Sequence, residues 1–314
     1  MARKLIIDTD PGIDDAMAIF LALTSPELDV IGLTTVFGNV DVGTATTNAL
    51  RLLEIAGRSD IPVARGAAHP LAGPVRSYAF DVHGEDGQGN VFLPPSDAQP
   101  VDQAAAAFII EQVMAAPGEV TLVPVGPLTN IALALRLEPR LVHAVREVVL
   151  MGGSALALGN VNPAAEANIL GDPEAADVVF GAGWPLVMVG LDVTHKVVMS
   201  PEHLDAYGHA QNPLAQHIAR IVPFYHAFYQ QYYPGLRGIY VHDSSAVAYA
   251  IDPTLFTVEQ WPVRVETQGI SRGKTWPYTG NGETPAGWRE RPRVGVCVDV
   301  DAERLLALER SRLM

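Results

Sequence analysis

Apolar and polar positions along this chain fall into alternating blocks. Short runs rich in aliphatic and β-branched residues recur at Lys4–Asp8, Asp29–Val36, Glu119–Val123, Glu147–Met151 and Leu186–Leu191. Between them lie segments of helical length or composition: Asp14–Leu23, Val42–Ala56, Asp102–Ala115, Pro127–Leu137 and Asp172–Phe180. A strand buried on both faces reads as a nearly continuous apolar run, and Val148-Val149-Leu150-Met151 does so. The alternation predicts βαβ units and an α/β fold built on a largely parallel sheet.

Punctuation supports these boundaries. Asp172-Pro173-Glu174 offers a capping side chain, a proline at the first helical position and early acidic charge. Pro127 can open the helix that follows Gly126. No internal repeat or low-complexity linker interrupts the pattern. Gly66–Pro100 and Gly269–Pro292 are rich in Gly and Pro and read as long loops, which in a compact domain carry function or motion. The first holds His83-Gly84-Glu85-Asp86-Gly87 and suggests a lid with a polar tip. The second, with Trp276 and Trp288, suggests a surface that packs on another subunit.

Composition narrows the function class. The 314 residues are 48% hydrophobic and 18% charged, enough for a sizeable core in one large domain or two smaller ones. A net charge of −14 argues against nucleic acid as a partner and against anionic membranes. The single cysteine, Cys297, rules out an internal disulfide, fits a reducing compartment and sits in the apolar run Val294–Val300, as a buried thiol would. After Met1-Ala2-Arg3-Lys4 only Leu5-Ile6-Ile7 precedes the first aspartate. That is too short for a signal peptide, and no segment reaches the roughly 18 apolar residues of a membrane span. A cytoplasmic location is the expectation.

The candidate chemistry begins at Asp8, Asp10, Asp14 and Asp15, four aspartates within eight residues where a strand turns through Pro11-Gly12 into a helix. Carboxylates this close repel one another unless a cation holds them ionised. An EF-hand loop starting at Asp8 fails, because Gly12 falls at its fifth position and Ile19 at its twelfth. Helix capping accounts for one aspartate, not four. Hard oxygen donors select Ca²⁺ or Mg²⁺, and both remain open. The turn Val123–Asn130 either aims backbone carbonyls at a cation or is an ordinary β-to-α turn. Asn160, Asn162, Glu166 and Asn168 suit recognition of hydroxyl groups, or simply solvate a loop. Asp243 caps the helix that follows it or supplies another anionic ligand. Beside it, His242 is suited to proton donation near neutral pH. His83 and His195 are lesser candidates. His203, His209 and His217 are expected on solvated helix faces.

Together these residues resemble the inosine-uridine preferring nucleoside hydrolase family. The carrying motif is Asp8-Thr9-Asp10-Pro11-Gly12-Ile13-Asp14-Asp15-Ala16. The likeness continues through Phe37-Gly38-Asn39-Val40, Gly126-Pro127-Leu128-Thr129-Asn130, Met151-Gly152-Gly153, Asn160, Ala165-Glu166-Ala167-Asn168 and His242-Asp243. It implies a single domain over 1–314 with an open, mostly parallel, Rossmann-like sheet flanked by helices. A lid at about 66–100 and a mobile aromatic segment at about 223–242 would border the site. The implied activity is hydrolysis of ribonucleosides to free base and ribose, with one Ca²⁺ per subunit. Asp10, Asp15 and Asp243 would bind that ion through side chains, and Val125 through its carbonyl.

By the same resemblance Asp10 takes a proton from the attacking water, and Asp14 and Asn168 hold ribose hydroxyls. Asn39, Asn160 and Glu166 grip the rest of the sugar, the last two near the 5′-hydroxyl, and Met151 lines its floor. His242 is the implied acid for the departing base. Tyr225 and Tyr229, one helical turn apart, would contact that base together with His83. Homodimers or homotetramers are expected. The residue between Glu166 and Asn168 is often Phe in this family but is Ala167 here, which removes an aromatic wall beside the sugar. Histidine at 242 favours the subgroup acting on purine and pyrimidine nucleosides alike.

Two rival readings use the same residues. Asp8-Thr9-Asp10 after a strand also resembles the nucleophile motif of Mg²⁺-dependent haloacid dehalogenase-like phosphohydrolases. A non-catalytic, Ca²⁺-dependent nucleoside- or ribose-binding protein would retain the pocket without turnover.

Overall fold

The computed structural model of the chain describes residues 2–75 and 77–314. Its strands are β1 (Arg3–Thr9), β2 (Leu28–Thr35), β3 (Val63–Arg65), β4 (Val120–Pro124), β5 (Glu147–Met151), β6 (Leu186–Val189), β7 (Val198–Met199), β8 (Ile239–Tyr240), β9 (Phe256–Val265), β10 (Thr275–Pro277) and β11 (Arg293–Val300). One sheet runs β10-β9-β11-β6-β5-β4-β1-β2-β3, and β7 pairs with β8 separately. From β3 through β6 to β11 neighbouring strands are parallel; β9 and β10 add an antiparallel edge.

Alternation along β1 shows why helices cover both faces of this sheet. Leu5 and Ile7 join one buried apolar cluster, containing the helices Ile13–Thr24 and Asp243–Ile251. Ile6 points into the other, with the helices Ala105–Ala115, Thr129–Leu137 and Pro173–Phe180. From β1 the chain proceeds to β2 and β3 on one side and then crosses to β4, β5 and β6 on the other. This reversal opens a crevice beyond the carboxyl ends of β1 and β4, where open α/β sheets bind ligands.

All five expected strands are present, and the expected helices appear with adjusted starts. The helix read from Asp102 begins at Ala105. The one read from Pro127 begins at Thr129, because the chain first bends at Gly126 after Val125 N donates to Asp8 O at 2.8 Å. Gly269–Pro292 is not a plain loop: it contains β10 and the helical turn Ala286–Arg289, and Trp288 Nε1 donates to Trp276 O at 2.8 Å within the chain. In 66–100 the region around His83 is packed rather than projecting. His83 and Gln88 are buried, and Asp86 accepts from the backbone N–H groups of Gln88, Asn90 and Phe92.

Cys297 is buried, as expected. His217 is not solvated; it is buried edge-on against Phe20, with Nε2 3.1 Å from Gln88 Oε1. His203 is half-buried and His209 exposed. No helix among the described residues is long and apolar enough to cross a membrane.

The C-terminal helix Ala302–Leu313 carries a fully buried Glu309. Its Oε1 accepts from Ser244 Oγ at 3.2 Å and its Oε2 has no partner. Burial pushes its pKa from 4.5 up to about 7. A carboxyl raised in this way costs no stability below its unfolded pKa, costs progressively more as pH climbs toward 7, and levels off above. The window corresponds to roughly 3 kcal/mol at 1.4 kcal/mol per unit. Glu309→Gln is therefore expected to raise the melting temperature more at pH 8 than at pH 5. An equal gain at both pH values would contradict the burial argument.

Candidate active site

Each aspartate of the motif takes a different position. Asp8, next to last in β1, is a brace: its Oδ1 accepts from Thr34 Oγ1 at 2.6 Å and Asn130 Nδ2 at 2.8 Å, tying β1 to β2 and to the helix after β4. Burial nevertheless pushes its pKa to about 7. Asp15 lies in the first turn of the helix Ile13–Thr24, where its carboxylate reaches back to the backbone N–H of Gly12, the residue that precedes the helix. It accepts from Thr9 Oγ1 at 2.5 Å, Gly12 N at 2.9 Å, Asn39 Nδ2 at 3.1 Å and Asp10 N at 3.2 Å.

Asp10 and Asp14 are less satisfied. Asp10 Oδ2 accepts from Asn39 N at 2.6 Å, but its Oδ1 is buried without a partner. Two glycines make room for this carboxylate: a Cβ on Gly38 would sit 2.0 Å from its Oδ2, and one on Gly126 would sit 2.4 Å from its Oδ1. Asp14 Oδ2 accepts from Tyr225 OH at 3.2 Å, and its Oδ1 is again buried and unpartnered. His83 Nδ1 stands 3.8 Å from that oxygen but accepts from Ile13 N at 3.1 Å. That nitrogen is then unprotonated, so the contact is not an ion pair. Burial agrees, lowering the His83 pKa to about 4.

From the far end of the chain Asp243 opens the helix Asp243–Ile251. Carboxylate oxygens of Asp14, Asp15 and Asp243 approach within 4.8 Å of one another. The resemblance implied Asp10, Asp15 and Asp243 as the side-chain ligands, whereas the tightest trio contains Asp14. Asp10 remains close enough for its charge to act on Asp243. Burial raises the pKa of Asp14 and Asp15 to about 6 and those of Asp10 and Asp243 well above the carboxylate range, with like-charge repulsion adding to each but Asp14. An all-oxygen set with two unpartnered buried atoms fits a hard divalent cation, which would return these groups to the ionised form. Val125 faces the same region, and its carbonyl accepts from Asn168 Nδ2 at 2.8 Å.

The adjoining cleft, a cavity of about 150 Å³, brings together Asp14, Asn39, His83, Val125, Met151, Asn160, Glu166, Asn168, Tyr225, Tyr229, His242 and Asp243. Asp10 instead lines a larger neighbouring cavity of about 490 Å³, which also touches Asn39 and Asn168. Glu166 caps the helix Ala167–Gly171 and accepts backbone N–H groups on both oxygens, from Asn168, Gly153 and Ile169. Asn160 Oδ1 accepts from Ala167 N at 3.1 Å. Asn162 shapes its loop by accepting from Ala164 N and Ala165 N.

Residues with no motif behind them hold this loop in place. Asp192 accepts from the N–H groups of Ala155, Leu156 and Ala157. Buried Lys274 Nζ donates to Ser154 O at 2.7 Å and Ala157 O at 2.9 Å. Gly38 and Gly126 lie inside the quoted motifs, but the room they give Asp10 is visible only in three dimensions.

On the opposite wall a hydrogen-bonded chain runs from Asp14 through Tyr225, Tyr229 and His242 to Thr194, with spacings of 3.2, 3.2, 3.0 and 2.8 Å. His242 does not titrate near neutrality as expected. Burial, then His195 and His83, depress its pKa to about 3. It is a neutral imidazole bridging two hydroxyls. His195 lies outside this chain, stacked on Tyr240 at 4.3 Å.

The sequence matches the family model described as inosine-uridine preferring nucleoside hydrolase over residues 5–307. It is 47% identical to the probable uridine nucleosidase 2 of Arabidopsis thaliana, over 99% of this chain and 98% of that protein. Identity to the inosine-uridine preferring nucleoside hydrolase of Leishmania major is 45%, over 88% of this chain and 87% of that one. A solved plant nucleoside hydrolase shares the fold with a TM-score of 0.97 at 45% identity, covering 100% of this chain and 99% of its own. With its acidic crevice at the reversal point of the parallel sheet, this chain belongs to the inosine-uridine preferring nucleoside hydrolase family and is a hydrolase acting on N-glycosyl compounds.

Proposed function

We propose that the chain hydrolyses the N-glycosidic bond of ribonucleosides in a Ca²⁺-dependent reaction, with Asp10 as the base. The observation that carries this is the convergence of Asp14, Asp15 and Asp243 beside the unpartnered Oδ1 of Asp10. Asp10, Asp15, Asp243 and the Val125 carbonyl would hold the ion, with Asp14 at its edge. When bound, the ion supplies an attachment point for the sugar's vicinal hydroxyls and lowers the pKa of the attacking water.

Asp10 Oδ1 has no other hydrogen to accept and takes the proton of that water. Asp14 and Asn168 orient the ribose hydroxyls; Asn39, Asn160 and Glu166 hold the remaining sugar above Met151. As the bond to the base lengthens, positive charge builds on the ribose, and the buried carboxylates stabilise it electrostatically. Tyr225, Tyr229 and His83 face the base. Tyr229 OH, backed by neutral His242, delivers the proton that the departing base needs. Asp10 and the tyrosines line different cavities, which suits attack and departure on opposite faces of the sugar.

Family membership leaves no place for the phosphohydrolase reading, since the same residues are accounted for by N-glycosyl hydrolysis. A binding protein without turnover is separated from an enzyme by assay. Uridine and inosine are the first substrates to test.

Asp10→Ala is expected to lower kcat by roughly 10²–10⁴-fold or more. Near-normal uridine hydrolysis by that variant would refute the base assignment. Chelation is expected to abolish activity, and Ca²⁺ to restore it while raising the melting temperature of the wild type but not of Asp15→Asn. Full activity in chelator would exclude the metal. Tyr229→Phe is expected to slow uridine roughly 10²-fold and to spare 4-nitrophenyl riboside, whose leaving group needs no proton. Equal losses on both substrates would remove Tyr229 from proton delivery.

A further inference from the structure

The turn that carries Asn160 closes on itself: Gly159 N donates to Pro163 O and Val161 N to Ala165 O, both at 3.2 Å. Where Asn160 stands in the nucleoside cleft is therefore set by how the two ends of this turn are held. At the far end Glu166 caps its own helix. The near end, residues 154–157, belongs to no strand or helix. Apolar packing reaches only its alanines, since Leu156 and, just beyond, Leu158 are 67% and 72% exposed. Charge holds it instead. Asp192 collects the N–H groups of Ala155, Leu156 and Ala157 at 2.7, 2.7 and 2.8 Å. Buried Lys274, just before β10 on the antiparallel edge of the sheet, takes the carbonyls. Its Nζ donates to Ser154 O at 2.7 Å, Ala157 O at 2.9 Å and Ser154 Oγ at 3.2 Å.

Three acceptors occupy all three N–H groups of the ammonium, and the centroid of the Trp276 ring lies 5.7 Å from Nζ. An apolar side chain at 274 would leave Ala157 O with no donor among the described residues and Ser154 O with only that of Thr275 Oγ1. A carbonyl stripped of its donor moves to find another, and the segment has little packing to resist. Asn160 stands three residues beyond Ala157. Its Oδ1 is engaged by Ala167 N at 3.1 Å, which leaves its amide N–H groups for a hydroxyl of the ligand in the cleft it lines. Lys274 does not line that cleft. Resting on the hydrolase reading above, in which Asn160 grips the sugar near its 5′-hydroxyl, we infer that Lys274 is a positioning residue for that contact. It touches no substrate and holds the turn where the Asn160 amide meets the 5′-hydroxyl. The antiparallel edge at β10 is thereby part of the sugar site as well as the border of the sheet.

The test compares uridine with 5′-deoxyuridine, which lacks only the hydroxyl in question, on the wild type, Lys274→Met, Lys274→Arg and Asn160→Ala, each first checked for cooperative melting. The wild type is expected to favour uridine by about tenfold or more in kcat/KM. Lys274→Met keeps the apolar stem and is expected to lower kcat/KM for uridine by about tenfold while moving that for 5′-deoxyuridine by less than about twofold. Lys274→Arg, which keeps the charge and the donors, is expected to retain most of the preference. Adding Lys274→Met to Asn160→Ala is expected to slow uridine no further. Equal losses on both substrates, or a further loss in the double variant, make Lys274 a general support of the fold and overturn the inference. A wild type that hydrolyses both compounds equally well overturns it too. Should Lys274→Met not fold, Lys274→Gln carries the same expectations. If the wild type hydrolyses neither compound, the hydrolase reading fails instead, and calorimetry decides the inference. A gap in affinity between the two nucleosides that narrows in Lys274→Met supports it, and an unchanged gap overturns it.

Discussion

Burial of several carboxylates side by side, with like-charge repulsion added, is the constraint around which this structure is organised. Asp10, Asp14, Asp15 and Asp243 are withdrawn from water beyond the carboxyl ends of the central parallel strands, where each loses solvation and most also feel a neighbour's charge. An arrangement of this kind is costly in the absence of compensation. Part of that compensation is internal: Asp15 accepts four hydrogen bonds, Asp10 one from a backbone N–H, and Asp14 one from a tyrosine. What is left over, an open oxygen on Asp10 and another on Asp14, is the part of the cluster free to act on a ligand.

The same economy governs the rest of the crevice, where a side chain often has a structural hydrogen bond as well as a place in the cleft. Glu166 caps a short helix while lining the cleft, and Asn168 fastens the β4 and β5 ends to each other through the Val125 and Met151 carbonyls. Rigid support of this sort holds polar groups in position before a substrate arrives.

Much of this was legible in the sequence because its causes are local. Buried parallel strands need continuous apolar runs, so β1, β2, β4, β5 and β6 announced themselves, and Asp172-Pro173 marked a helix start that the fold keeps. The motif around Asp10 was readable because strand, turn and helix are consecutive. Less visible was anything decided across long separations. β9 and β11 pair antiparallel at the sheet edge, with Pro262 interrupting the alternation along β9. Asp192 and Lys274 reach the 154–157 loop from distant elements, and no spacing rule predicts that. His242 looked like a neutral-pH acid because a sequence does not report burial; once enclosed by Tyr229 and Thr194 it stays uncharged. His217 was misjudged for the same reason.

If desolvation and repulsion leave these carboxylates partly protonated, then a cation that binds among them must displace protons. Calorimetric titration with Ca²⁺ at pH 6, repeated in buffers of different ionisation enthalpy, measures that displacement directly. The account expects a single site whose filling releases protons, and loss of both binding and release in Asp243→Asn. Binding without proton release, or binding unchanged in that variant, would contradict it.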